Sequence, residues 1–411
     1  MTLSMKMSAA ARMAGALGLG LLSTTALTAQ EQVTLTWWDF YGPAGSIRGD
    51  AVEDALARYT AAHPEVTFER RNIPRGDYTR TLLQTATGGE GPDLLIAANW
   101  ETAAYADAGL IVDLSDYVAE WGQQDEYYPV MWDLTQYDGA TYAIPHFADV
   151  YAIWYNKAIF AEAGLEPPTT WDEMQATAEA LSDGARFGLA FSAITGSEGA
   201  NAFIIRALGA GVEPEQFDTA EGLKAAEQWR ALIENGAVSR GALNWTEDDV
   251  KDQFISGNAA MMINSATYVA AMAEEAPDLD WGIIPIPVDA KPATLMQSDN
   301  LAIGATTEHE AVAWDVIEYF QTEEALNQYL PARGKLPARI DVGQSAQWSE
   351  DPVYGVFTSE LANGWAPTGA LAAAPEFFPN VQQVVQVAIG GGDIKAALTE
   401  LDRKTADLLG Q

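Results

Sequence analysis

Apolar positions in the first third of the chain alternate between two periods. Val33–Trp38 is extended, and Asp50–His63 carries its apolar residues at helical spacing until Pro64 stops it. Val66–Arg70 is extended again, and Asp77–Thr87 is a helix that runs into Gly88 and Gly89. Asp93–Ala97 (DLLIA) is a short, wholly apolar run of the kind buried in a parallel sheet. Trp100–Ala108 is a helix closed by Gly109. This alternation predicts a doubly wound α/β lobe.

Near Thr141 the rhythm breaks. The stretch TYAIPHFADVYAIWYN gives two extended runs interrupted at Pro145–Asp149, with no helix between them. A second α/β set follows. Thr170 and Glu173 form a capping box for a helix over Trp171–Leu181, Ala220–Asn235 is helical, and Thr246 caps a helix reaching Ser256. Ala259–Asn264, Trp281–Pro285 and Leu301–Ala305 are strands, and helices over His309–Gln321 and Thr322–Leu330 follow. The tail from Val381 to Leu409 is helical around a break at Gly390–Gly392.

Ligands of open α/β sheets lie beyond the carboxyl ends of the strands. In LTWWDFYG the alternation sends Trp37 and Trp38 to opposite faces, as scaffold. Asp39 and Tyr41, just past the strand, are then candidates for ligand contact. By the same argument Asn99 and Trp100 follow DLLIA at a helix start. The competing role for Asn99 is a plain N-cap.

Composition narrows the function. The 411 residues carry a formal charge of −36 and no cysteine. Nucleic acid is excluded as a partner, because phosphate binding needs a basic face. Three scattered histidines and no cysteine leave no zinc set, and no cofactor motif is present. Lys6 and Arg12 followed by the short apolar run from Met13 to Leu22 describe a cleaved secretory signal peptide over residues 1–29. The remaining length exceeds one core and calls for two lobes. The acids of TEDDVKD suit the first turn of a helix and are assigned no binding role.

Four blocks carry a resemblance to a known family: GPDLLIAANWETAAYADAGLIVDLSDYV, YAIPHFADVYAIWYNKAIFAEAGLEPPTTWDEM, FISGNAAMMINSATY, and NLAIGATTEHEAVAWDVIEYF with GKLPARID after it. Together the chain resembles the bacterial extracellular solute-binding proteins of family 1, the maltose- and multiple-sugar-binding receptors of ABC importers. The resemblance implies a type II periplasmic-binding-protein fold, two doubly wound α/β lobes with a ligand cleft at the hinge. The lobes would comprise residues 30–147 with 300–335, and 148–299 with 336–411. It implies a periplasmic monomer that binds a sugar, needs no cofactor, catalyses nothing, and hands its ligand to the membrane permease subunits.

It also points to residues. Related receptors carry a sugar-contacting acid where Asp149 stands, and Phe147 beside it is either a stacking wall or hinge packing. Asn264 and Tyr268 occupy a segment where the family has a Gly-rich turn and a Trp; neither is present here. Ser298 and Asp299 precede the strand of the fourth block, where small residues usually approach the ligand. Arg333 offers a bidentate donor to hydroxyls or an anion, and Glu198 in a glycine-broken loop is a further candidate. Two other functions fit the composition: a secreted carbohydrate hydrolase, which needs only two suitably spaced carboxylates, and a receptor for a cationic solute such as a polyamine.

Overall fold

The computed structural model describes residues 32–368, 371 and 376–410. The expected signal peptide lies outside them. The strands, in chain order, are β1 (Val33–Asp39), β2 (Val66–Asn72), β3 (Leu94–Ala98), β4 (Gln136–Tyr137), β5 (Ala140–Thr141), β6 (Ile144–Pro145) and β7 (Asp149–Asn156). They continue as β8 (Phe187–Ala190), β9 (Ala259–Ser265), β10 (Trp281–Ile284), β11 (Thr294–Gln297), β12 (Asp299–Ile303) and β13 (Gly364–Trp365).

Two mixed sheets result. The first has the order β2-β1-β3-β12-β6 and the second β13-β11-β7-β9-β8, with β10 also paired to β7. β1, β2 and β3 are parallel, as their helical connections require. β12 enters antiparallel to β3, opposing Asn300 to Ala97. The chain therefore returns to the first sheet after building most of the second.

Local chemistry fixes the helices. Ser46 caps the helix Ile47–Ala62 through the Gly49 N–H. The capping boxes at Thr170/Glu173 and Thr246/Asp249 are both closed. Gly304, just after β12, is a close-approach glycine: a Cβ there would lie 1.9 Å from the Pro92 carbonyl oxygen. Trp37 and Trp38 do face opposite ways. Trp37 packs against Phe320, and Trp38 belongs to a separate apolar cluster with Arg71 4.6 Å above its ring.

The lobes are joined where strands of one sheet pass directly into the other. β6 leads into β7 over three residues, and β11 leads into β12 over one. The two crossings run side by side, with Asp149 opposite Gln297 and Pro145 opposite Asn300. A third crossing joins them: Ala148 and Leu336 exchange both backbone hydrogen bonds, at 2.8 and 2.9 Å. Three adjacent, hydrogen-bonded crossings make the connection a paired hinge rather than a loose tether. Among the described residues no helix is long and apolar enough to cross a membrane.

Candidate functional site

A cavity of about 520 Å³ lies between the lobes. The first lobe lines it with Arg75, Thr79, Trp100 and Glu101. The second supplies Ser197, Glu198, Asn201 and Glu247, and Gln297 stands at the crossing between them. Phe378 and Leu371 of the tail close one side.

Each side chain is placed by an identifiable local cause. Arg75 opens the helix Arg75–Thr87 and reaches Glu101 at 2.8 Å, with its guanidinium 4.7 Å above Phe40 and 5.6 Å from the ring of Trp100. Glu101 also accepts from Thr79 at 2.7 Å. Glu247 opens the helix Glu247–Ile255, where Asp249 rather than Glu247 closes the capping box. Its carboxylate is thereby free to turn into the cleft. There Oε1 accepts from the Tyr151 hydroxyl at 2.6 Å and from Asn201 Nδ2 at 3.2 Å. Burial, and secondly the charge of Glu198, push its carboxyl up to about 8. Burial also raises Glu198, whose Oε1 accepts the Glu247 backbone N–H.

Beneath the cavity, at the hinge, sits a second polar cluster. The Lys335 Nζ donates to Asp149 Oδ2 at 2.6 Å and to the Thr267 hydroxyl, which itself donates to Asp149 at 2.6 Å. Phe147 lies under Lys335 Nζ at 4.8 Å and near the guanidinium of Arg333 at 5.9 Å. Arg333 stacks 3.9 Å above Tyr41. Asp299 lies beside Tyr41, and burial lifts its carboxyl to about 6 against the pull of Lys335, Arg75 and Arg333.

Five sequence candidates, Tyr41, Phe147, Asp149, Asp299 and Arg333, are thus gathered into one cluster although they come from four distant segments. Trp100 lines the cavity. Five others are bonded or buried within the protein. Asp39, expected to face the ligand, is fully buried. Arg70 holds both its oxygens, at 2.6 and 2.8 Å, and it accepts further from the Tyr41 N–H, Trp37 Nε1 and Asn72. As the last residue of β1, Asp39 shares the face of Trp37 and is engaged inside the protein. Asn99 does not cap the next helix, which starts at Thr102 with Glu101 at its N-cap; its Oδ1 accepts the Trp100 N–H at 3.0 Å. Asn264 supports Glu247 from below, donating to its carbonyl at 3.0 Å. Ser298 donates to the Asp299 carbonyl and to Asn300. Tyr268 is buried, with Arg48 of the first lobe 5.7 Å over its ring.

Arg75, Glu101, Asn201, Glu247 and Lys335 were not among the sequence candidates. Two of them left a trace. Arg75 is a cation at a helix N-terminus, where the dipole disfavours it, and Glu247 is the acid that the Thr246 capping box does not use. Among the described residues no group of three metal-ligating side chains occurs.

Residues 54–355 match the family described as bacterial extracellular solute-binding protein. A putative binding protein of Brucella abortus is 23% identical over 357 residues, covering 84% of this chain and 85% of its own. The maltotriose-binding protein of Pyrococcus abyssi is 26% identical over 315 residues, covering 72% of this chain and 65% of its own. A solute-binding protein of Thermotoga lettingae, solved with alpha-D-tagatose, superposes with a TM-score of 0.80 at 22% identity, covering 92% of this chain and 99% of that one. The fold is that of the periplasmic binding proteins.

Proposed function

The chain belongs to the bacterial extracellular solute-binding proteins, the solute-binding components of ABC transporters, and on that footing we propose that its solute is a sugar held between the two lobes. It is a binding protein rather than an enzyme. The observation that carries the sugar reading is the composition of the interlobe cavity. Carboxylates and amides from both lobes (Glu101, Glu198, Asn201, Glu247, Gln297) can take hydroxyls in pairs. Trp100 and Phe378 offer flat apolar surface to the C–H faces of a ring.

In this reading the hinge cluster of Tyr41, Phe147, Asp149, Asp299, Arg333 and Lys335 sets the floor of the cleft and couples occupancy to closure. The lobes are residues 30–147 with 300–335, and 148–299 with 336–411; the entry of β12 into the first sheet supports that division. The closed form is what the permease subunits would recognise at the membrane. Residues 1–29 direct the chain to the periplasm, where it works as a monomer.

Calorimetric titration of the mature chain with mono- and disaccharides tests the proposal. At least one should bind stoichiometrically, and Trp100→Ala should weaken it by about 1–3 kcal/mol through lost ring burial. A protein that binds no saccharide, in a preparation shown folded by circular dichroism, contradicts it.

A further inference from the structure

The second-lobe wall of the cavity carries two acids without a cation. Glu198 and Glu247 are adjacent, linked by the Glu247 backbone N–H. The hydrogen bonds from Tyr151 and Asn201 both fall on Oε1 of Glu247, leaving Oε2 without either. Among the described residues no lysine or arginine pairs with either acid. Arg75, the one cation among the described residues lining the cavity, is committed to Glu101 at 2.8 Å.

An independent observation lies next to them. Asp149 stands two residues before Tyr151 on the same face of β7. Its Oδ1 is buried with no hydrogen-bond partner, and its charge acts on both Tyr151 and Glu247. Lys335 balances its other oxygen, so what this side of the cleft lacks is a donor at Asp149 Oδ1 and a positive charge at Glu198 and Glu247. A neutral sugar would supply hydroxyl donors but no charge that lets the pair ionise in a partly desolvated wall. An ammonium would supply both. A bare polyamine would leave the Gln297 amide facing alkyl chain and the flat rings of Trp100 and Phe378 without a sugar face.

We propose that the solute is a saccharide or polyol bearing a basic amino group, whose ammonium is held between Glu198 and Glu247. This rests on the sugar reading of the cavity and narrows it. Glu247 is faced by Glu198, Tyr151, Asn201 and Tyr268 and by Asp149 from β7, while Asp248 and Asp249 of its own helix act on Glu198. Arg48, over the Tyr268 ring, is the cation reaching that group from the first lobe. In the empty cleft at pH 7 Glu247 holds its proton, being raised to about 8. An arriving ammonium stabilises the ionised form and expels that proton to solvent. Binding of the cation is then coupled to proton release, and binding of a neutral sugar is not.

The experiment is calorimetric titration of the mature chain at pH 7 with matched pairs: glucosamine against glucose, and chitobiose against cellobiose, with spermidine as the hydroxyl-free cation. Repeating each titration in buffers of different ionisation enthalpy counts the protons released. The amino member of a pair should bind about tenfold tighter or better, a difference of about 1.4 kcal/mol, with net proton release. Glu198→Gln with Glu247→Gln should abolish both the preference and the release, while urea unfolding reports whether that variant is folded. Equal or tighter binding of the neutral partner overturns this inference and leaves the sugar reading standing. Amino-sugar binding without proton release also overturns it. Binding of spermidine with no saccharide of either kind overturns both.

Discussion

Lys335 Nζ lies 2.6 Å from Oδ2 of Asp149, and both residues are buried although 186 positions separate them in the chain. The pair ties the start of β7 to the third crossing between the lobes. Replacing Lys335 by Met leaves Asp149 buried in the hinge without its partner. The expected loss is about 3–5 kcal/mol of unfolding free energy, read from urea transitions. Adding Asp149→Asn to that variant should recover much of the loss. A single variant as stable as the wild type would show that the pair does not hold the hinge.

Asp39 is expected to behave as scaffold. Asp39→Asn breaks the two-point pair with Arg70 and lowers stability by about 3–5 kcal/mol. Affinity for the solute, measured below the shifted melting temperature, should stay within about twofold, a change of less than 0.5 kcal/mol. A large loss of affinity at intact stability would place Asp39 in the ligand site after all.

Two hinge residues give opposite pH signatures. His146 is buried against Trp37, Phe320 and Tyr329, and desolvation, helped by Arg333, lowers its imidazole from an ordinary 6.5 to about 3. The unfolded chain therefore binds a proton that the folded chain refuses between those values. The stability contributed above pH 6.5 is lost as pH falls toward 3, at up to about 1.4 kcal/mol per pH unit. His146→Asn should flatten the acid limb of the stability curve by one proton. Asp299 works the other way. Its carboxyl is raised to about 6, so it favours folding below the unfolded value near 4, and that contribution disappears as pH rises through 6. Asp299→Asn should steepen the same limb. Urea midpoints between pH 4 and 7 for the three proteins check both signs.

Gly304 tests the packing of β12 on β3. A methyl at this position would sit 1.9 Å from the Pro92 oxygen, and the backbone of neither strand can yield cheaply. Gly304→Ala should cost about 1–3 kcal/mol through overpacking. Thr170→Ala is the mild counterpart: it removes a cap bond made at 3.2 Å to the Glu173 N–H and should cost about 1 kcal/mol. Thermal unfolding of the two variants should rank them in that order.

The strands and helices were readable because each has its own period and its own punctuation. Thr170, Thr246, Pro64 and the glycines mark ends by local chemistry that holds whatever the chain packs against. The hinge was readable as a break in rhythm at Pro145–Asp149, and the resemblance to a known family added residues around it. Asp39 reads as lying past the strand because the apolar run stops at Trp38; it is the last residue of β1, and alternation then puts it on the face of Trp37, whose indole donates to it. Glu247 was passed over because an acid in a first helical turn has an adequate local explanation. Only the identity of the residue that closes the capping box, Asp249, shows that Glu247 is spare.

The sequence by itself determined the α/β alternation, the two lobes, the break between them and the family. Those properties follow from period, capping and length, which act over a few residues at a time. Which charges meet was decided by tertiary structure. Arg70 on Asp39, Lys335 on Asp149, and Glu198 beside Glu247 are pairings between segments 31, 186 and 49 residues apart. A periodic pattern states that a residue is buried or exposed. The return of β12 to the first sheet and the three adjacent crossings then select its partner, and with it whether a carboxylate is satisfied inside the protein or left facing the cleft.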